Sequence, residues 1–247
     1  MKDYARQIIT NQGRPMTGIY NTTEEQEFAL GTLFKTNEGD VFRYAKAGGT
    51  DLDQGHLTQA TVPIANHTDI ATGVAVAKGA TEFTYVTNLA TAVTKDQYRD
   101  GWLLVNDGAG EGHIYRIKSN TADDDNPKIV LWDPIAVALT AASEVSLIAN
   151  PWNGSIVVPD TGASAANNGC PLVAVDADEY YWSKVRGPAP VMTEGTVVDG
   201  NNVRNSEGSV AGAVEPAGND DAQQLIVGHV MSTLSGGDYS LINLIIE

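Results

Sequence analysis

The sequence is short of nearly everything that a reaction centre or a membrane anchor is built from. A single cysteine, Cys170, excludes an internal disulfide and any cysteine cluster for a metal, and suits a protein made in a reducing cytosol. In Asn168-Gly169-Cys170-Pro171-Leu172 it opens an apolar run and reads as a small packed residue rather than a nucleophile. No apolar stretch reaches the ~18 residues of a membrane helix. Met1-Lys2-Asp3-Tyr4-Ala5-Arg6-Gln7 lacks the apolar core of a secretion signal. Bases are scarce, 15 against 31 acids, for a net charge of −16. Such a chain repels nucleic acid, whose phosphates require a basic face. His56, His67, His113 and His229 are scattered without metal-ligand spacing, and no serine sits in a Gly-x-Ser-x-Gly elbow.

What is present favours strands and turns. Glycine is frequent at 25 residues, and Val, Ile and Thr recur in short runs. A chain of 247 residues suits one large β domain or two smaller ones. Two stretches share a punctuation: Val41-Phe42-Arg43-Tyr44-Ala45-Lys46-Ala47-Gly48, then Leu52 and Gly55, and Tyr180-Tyr181-Trp182-Ser183-Lys184-Val185-Arg186-Gly187, then Val191 and Gly195. Each reads as an aromatic strand, a glycine turn, a short return strand and a second turn.

Residues 1–27 read as an extended arm, turn-rich and poor in core residues, with a short helix capped by Thr22 ahead of Glu25. Strands begin at Phe28. Val74–Ala77 and Phe83–Val86 suggest one hairpin across Lys78-Gly79. Trp102–Val105 and Ile114–Ile117 suggest another across the glycine loop Gly108–Gly112. Asp133-Pro134 opens either a short helix to about Ala142 or a loop. Asn150-Pro151-Trp152-Asn153-Gly154 is the candidate hinge between halves. Further strands are expected at 172–175, 195–198, 209–214, 225–230 and 239–246. The expected fold is all-β: one or two β-barrel or sandwich domains with an extended N-terminal arm. The expected division is an arm at 1–27, a first β domain at 28–150 and a second at 151–247.

Candidate chemistry is thin. Val158-Pro159-Asp160-Thr161-Gly162-Ala163-Ser164 resembles the Asp-Thr-Gly-Ala-Ser signature of aspartic proteases, in which two carboxylates share a proton and activate water. Asp160 would be the catalytic residue, and Leu225-Ile226-Val227-Gly228 the element packed beneath its loop. Pro159 departs from that pattern, and a retroviral-type enzyme leaves most of this chain unexplained. Gly108–Gly112 lacks the helix N-terminus or lysine of a phosphate cradle. Asp123-Asp124-Asp125-Asn126 lacks the alternating ligands of a calcium loop. The reading is therefore non-enzymatic, with no catalytic residue, no metal ligand and no cofactor. Trp102, Trp132, Trp152 and Trp182 read as core or interface residues; a sugar platform would need several of them on one exposed face.

The glycine-and-strand pattern resembles virion structural proteins of tailed bacteriophages. It is carried by Gly39–Gly48, Tyr180–Gly187, Gly195-Thr196-Val197-Val198, Val210–Val214 and the closing Asp238-Tyr239-Ser240-Leu241-Ile242-Asn243-Leu244. Within that group the chain is most similar to capsid decoration, or cement, proteins. The resemblance implies a protein made in the host cytoplasm that ends on the outer surface of the virion, often as a homotrimer, with the major capsid protein as partner. It implies neither nucleic acid nor membrane as a partner. The arm would bind the capsid, with Tyr4, Ile8, Ile9, Arg14 and Tyr20 as the contacting side chains. Leu241, Leu244 and Ile246 of the apolar C-terminal strand would form the oligomer interface. A phage fibre or a receptor- or carbohydrate-binding β protein is the rival reading.

Overall fold

A computed structural model describes residues 9–10, 18–85, 91–123, 126–218, 225–234 and 239–247. Among these residues there is no α-helix, only strands, turns and one 3₁₀ turn at Ala65–His67. The chain opens with β1 (Ile9–Thr10), β2 (Leu33–Lys35), β3 (Val41–Ala47) and β4 (Thr58–Gln59). It continues through β5 (Ile70–Ala71), β6 (Glu82–Thr84), β7 (Trp102–Asp107), β8 (Ile114–Asn120), β9 (Lys128–Leu131) and β10 (Glu144–Ile148). The last seven are β11 (Asn153–Val157), β12 (Asn167–Pro171), β13 (Tyr180–Met192), β14 (Asn202–Asn205), β15 (Val214–Pro216), β16 (Ile226–Ser232) and β17 (Tyr239–Ile245).

Two compact units emerge, and their boundaries correct the expected division. Unit 2 is 62–150, whereas 1–61 joins 151–247 in unit 1. The reason is the partner that each aromatic stretch finds. The two similar stretches do not head separate domains: β3 and β13 are antiparallel neighbours, with Tyr44 opposite Trp182 and Ala45 opposite Tyr181. The hinge expected at 150–154 does fall on a unit boundary, but the segment before it is an insertion that ends there.

In unit 1 the pairings β3–β11–β4–β12–β13 return to β3 and close a five-stranded barrel. Beyond β13 the sheet runs on through β17, β16, β14 and β15, and beyond β3 through β2 and β1. Phe34, Phe42, Tyr44 and Trp182 anchor its core together with Ile242, Leu244 and Val227. Phe28 packs against both Tyr44 and Trp182, with ring centroids 5.2 and 5.4 Å away. Unit 2 is a curled six-stranded sheet, β5-β10-β7-β8-β9-β6, around Tyr85, Leu103, Ile117 and Ile129. The alternating burial of β7, β8 and β9 sends Leu103, Val105, Tyr115, Ile117, Ile129 and Leu131 inward and the intervening residues outward.

Several local expectations give way to long-range pairing. Thr23 does not start a helix, because its N–H and C=O both bond to Tyr180, at 3.0 and 2.8 Å. Residues 133–142 form no helix either. The Ile135 N–H goes to Ala80 and that of Leu139 to Val76, so these amides are spent across the unit rather than along a helix. The same bonds undo the hairpin expected at 74–86: Val76 bridges to Leu139, while β6 pairs with β9. The hairpin β7–β8 forms as expected around the loop of Gly108, Gly110 and Gly112, all at positive φ. Residues 172–175 and 195–198 lie outside the strands. Gly187 ends no strand; β13 runs on to Met192 through a bulge between Lys184 and Arg186.

Candidate functional site

The protease-like segment lies on an open turn. The Gly162 N–H bonds to the Pro159 carbonyl at 3.0 Å, and Asp160 is exposed. A shared-proton pair would need a second carboxylate close beside it, supplied by another subunit. The loop is pinned by Gln59, whose amide donates to Ser164 Oγ at 2.8 Å and accepts from the Ser164 N–H at 3.0 Å. Gly162, Ala163, Ala165 and Ala166 wall a cleft of about 270 Å³ that Arg204, Glu207 and Leu225 complete. Leu225 lines the same cleft as Gly162 but is 61% exposed rather than packed beneath the Asp160 loop. Within the cleft, though, Arg204 is held by Glu207 at 3.2 Å and Glu215 at 2.7 Å.

The remaining titratable residues are placed apart. Among the described residues no three His, Cys, Asp or Glu side chains gather where a metal ion could sit. His67 is buried with its ring nitrogens engaged by Tyr98 Oη and the Thr91 carbonyl. His56 and His113 bond to backbone carbonyls, and His229 faces Asn243. Cys170 is fully buried, and desolvation pushes its thiol up to about 12 against the pull of Lys184. A thiol so rarely ionised is a packing residue. Asp124 and Asp125 of the acidic run lie outside the described residues.

Inside the barrel, four strands each send polar groups to one buried cluster. Thr58 of β4 donates to Asn168 Oδ1 at 2.6 Å, and Asn168 of β12 donates to Ser155 Oγ of β11 at 2.8 Å and to the Pro151 carbonyl at 2.7 Å. Ser183 of β13 donates to the Asn168 carbonyl at 3.0 Å. Burial pushes the Tyr181 phenol up, and the hydroxyls of Ser155, Thr58 and Ser183 beside it pull it back. Gly169 has φ +127, and a Cβ there would collide with Ser183 Oγ. The cluster is sealed from solvent and joins the barrel strands in one register.

A second polar knot, centred on a carboxylate, shapes the loop after β14. Glu194 accepts from Ser206 Oγ at 2.6 Å, from the Ser209 N–H and hydroxyl at 2.8 and 2.9 Å, and from the Val210 N–H at 3.2 Å. The Ser206 hydroxyl, then the Ser209 N–H, bring its carboxyl down to about 2. Nothing reactive adjoins it, so it too is a tether.

What remains is surface. The outward positions of β13, β17 and β16 are Arg186, Pro188, Pro190 and Met192, then Tyr239, Leu241, Asn243 and Ile245, then His229 and Met231. No carboxylate stands among them on a chain of net charge −16. Met231 and Ile245 are 47% and 43% exposed. Pro188 and Pro190 have no N–H to present from the stretch of β13 beyond its pairing with β3, so this edge resists adding another strand. The face, not the edge, is what this sheet offers.

This geometry sorts the expected interface residues. Leu241 lies on the outward face, half-buried. Leu244 is corrected: it faces the opposite way, fully buried in the unit's own core, and Ile246 packs against that core from its margin. An apolar run without polar–apolar alternation gives both faces of a strand the same character in sequence. The outward prolines were missed because Gly187 reads as a turn; Pro188-Ala189-Pro190-Val191, with proline at every second residue, is the signal of a continuing edge strand.

The expected arm is also shorter than drawn. Residues 18–27 belong to the body: Ile19 packs on the core, Thr23 bridges Tyr180, and the Glu27 N–H bonds to Tyr44 Oη at 3.0 Å. Tyr20 projects from it, 59% exposed. Ile9 lies in β1, paired in parallel with Phe34 of β2 at the sheet edge. Tyr4, Ile8 and Arg14 lie outside the described residues. No helix among the described residues is long and apolar enough to cross a membrane. No family model, no curated protein and no solved structure matches the chain.

Proposed function

We propose that the protein is a non-enzymatic capsid decoration protein of a tailed phage, which self-associates as a homotrimer and binds the major capsid protein on the outside of the head. The observation that carries the reading is the carboxylate-free, largely apolar face of β13, β17 and β16. Chains of net charge −16 repel one another, and a stable contact between them must use a surface free of carboxylates. Pro188, Met192, Leu241 and Ile245 supply such a surface. The pairing of β1 with β2 supports the second half of the proposal, since it is strand addition at a sheet edge by the N-terminal segment. Transferred to a neighbouring subunit, the same backbone bonds would hold the protein to a shell. Three such segments on one trimer multiply a modest affinity by on the order of 100-fold or more.

The test is co-sedimentation with undecorated empty heads of the phage that encodes the chain. The full chain should saturate the heads, and a chain lacking residues 1–17 should still form a trimer with unchanged strand content by circular dichroism but no longer bind. Full occupancy by the truncated chain, or no binding by the full one, contradicts the proposal.

A further inference from the structure

Of the four histidines, His229 alone stands on the outward face of β13, β17 and β16. It sits mid-row: Asn202 of β14, His229, Asn243 of β17 and Pro188 of β13 are successive partners across the sheet. Leu241, the next outward residue of β17, and Met231, two places along β16, lie beside it. The ring is half-buried, and Asn243 Nδ2 lies 3.4 Å from its Nε2. A neutral ring accepts there; a protonated one sets donor against donor until the amide turns over.

The charged and titratable groups around it are engaged elsewhere. On β14, Arg204 is held by Glu207 at 3.2 Å and Glu215 at 2.7 Å. On β13, Arg186 donates through Nε to the Glu247 carbonyl at 2.7 Å. On β17, the Tyr239 hydroxyl donates to the Gln54 carbonyl at 3.2 Å. Past the end of β16, the Asp199 carboxylate accepts from the Thr233 N–H at 2.7 Å. Among the described residues no carboxylate stands in the row to compensate an imidazolium.

We propose that self-association through this face is acid-labile, with His229 as the group that titrates. The inference rests on the homotrimer reading. In the separate chain the ring keeps one side in water and can charge. In the contact it is enclosed among side chains such as Pro188, Leu241 and Met231, where an imidazolium loses hydration and gains no counter-charge. The assembly therefore binds fewer protons than three separate chains. Association is at full strength above the ordinary histidine range, ~6.5, and weakens as pH falls through it. The net charge of −16 works the other way, because each proton relieves repulsion. That relief is spread over the surface and screened beyond ~8 Å at physiological salt, whereas desolvation acts at the ring itself. Desolvation wins.

Light scattering of the full chain across a dilution series tests it, at about pH 7.5 and about pH 5.5 and at one ionic strength. With the charged ring fully excluded, three protons released per trimer lower the association constant about 1,000-fold at the acid end. The concentration of half-assembly then rises about 30-fold, while circular dichroism stays the same. His229→Gln should assemble at both pH values as the parent does at the higher one. His229→Lys, charged throughout, should assemble poorly at both. A parent that is monomeric at the higher pH removes the homotrimer reading and this inference with it. A trimer whose half-assembly concentration does not change with pH, or changes as much in His229→Gln, overturns the inference alone. So does a loss of circular dichroism at the lower pH, or a His229→Gln chain that assembles as poorly as His229→Lys.

Discussion

Tyr44 and Trp182 stand opposite each other across the β3–β13 pairing, with ring centroids 5.2 Å apart and planes at 62°. This contact joins residues from opposite sides of the inserted unit 2 and makes one body of 1–61 and 151–247. It also gives the two similar sequence stretches a physical meaning: they are the two strands whose pairing closes the barrel.

Gly187 lies just past the bulge of β13, opposite Leu244. Its φ is +98, and a Cβ would run into Asp40 Oδ1, which holds Lys184 Nζ at 3.1 Å. Gly187→Ala should destabilise unit 1 by on the order of 2 kcal/mol, read as a lower urea midpoint with an unchanged slope. An unaffected midpoint would show that this position tolerates a side chain.

Asn168 is the junction of the barrel's interior cluster. Asn168→Ala takes a partner from Ser155 and the Pro151 carbonyl and leaves Thr58 only its bond to the Gly169 carbonyl, and should cost about 3 kcal/mol. Thr58→Val, which removes one participant from the edge of the cluster, should cost less. Chemical denaturation of both variants checks the order.

Glu194 predicts an acid-sensitive loop. Its carboxyl falls from an ordinary 4.5 to about 2, so the folded protein prefers the charged form. The stability this supplies is complete above about pH 4.5 and is lost as pH falls toward 2. Glu194→Gln should therefore lower the urea midpoint at pH 6, and the gap between variant and parent should close between pH 4.5 and 2. A gap that is the same at both ends would remove the carboxylate from the explanation.

The all-β class, the β7–β8 hairpin and the unit boundary near Asn150 were legible in the sequence because they follow from local alternation and turn chemistry. The insertion was not. Nothing local to Tyr44 or Trp182 says that each is the other's partner, and strand pairing between distant segments leaves no periodic trace. The helix expected at Thr22 failed for the related reason that the amides there bond to residues remote in sequence, and of the two alternatives at Asp133 the same kind of bonding selects the loop. Of the candidate interface, the unbroken apolar run singled out the C-terminal strand but not which of its faces is outward. Leu241 and Leu244 are separated by three positions and so point to opposite sides of the sheet.

The mass of the full chain in solution, measured by light scattering beside that of Leu241→Glu, tests the central claim most directly. A carboxylate at the centre of the β13–β17–β16 face should leave the fold intact, since Leu241 points away from the core. The account predicts three times 26.1 kDa for the parent and 26.1 kDa for the variant. A parent that is already monomeric, or a variant that stays assembled, would contradict it.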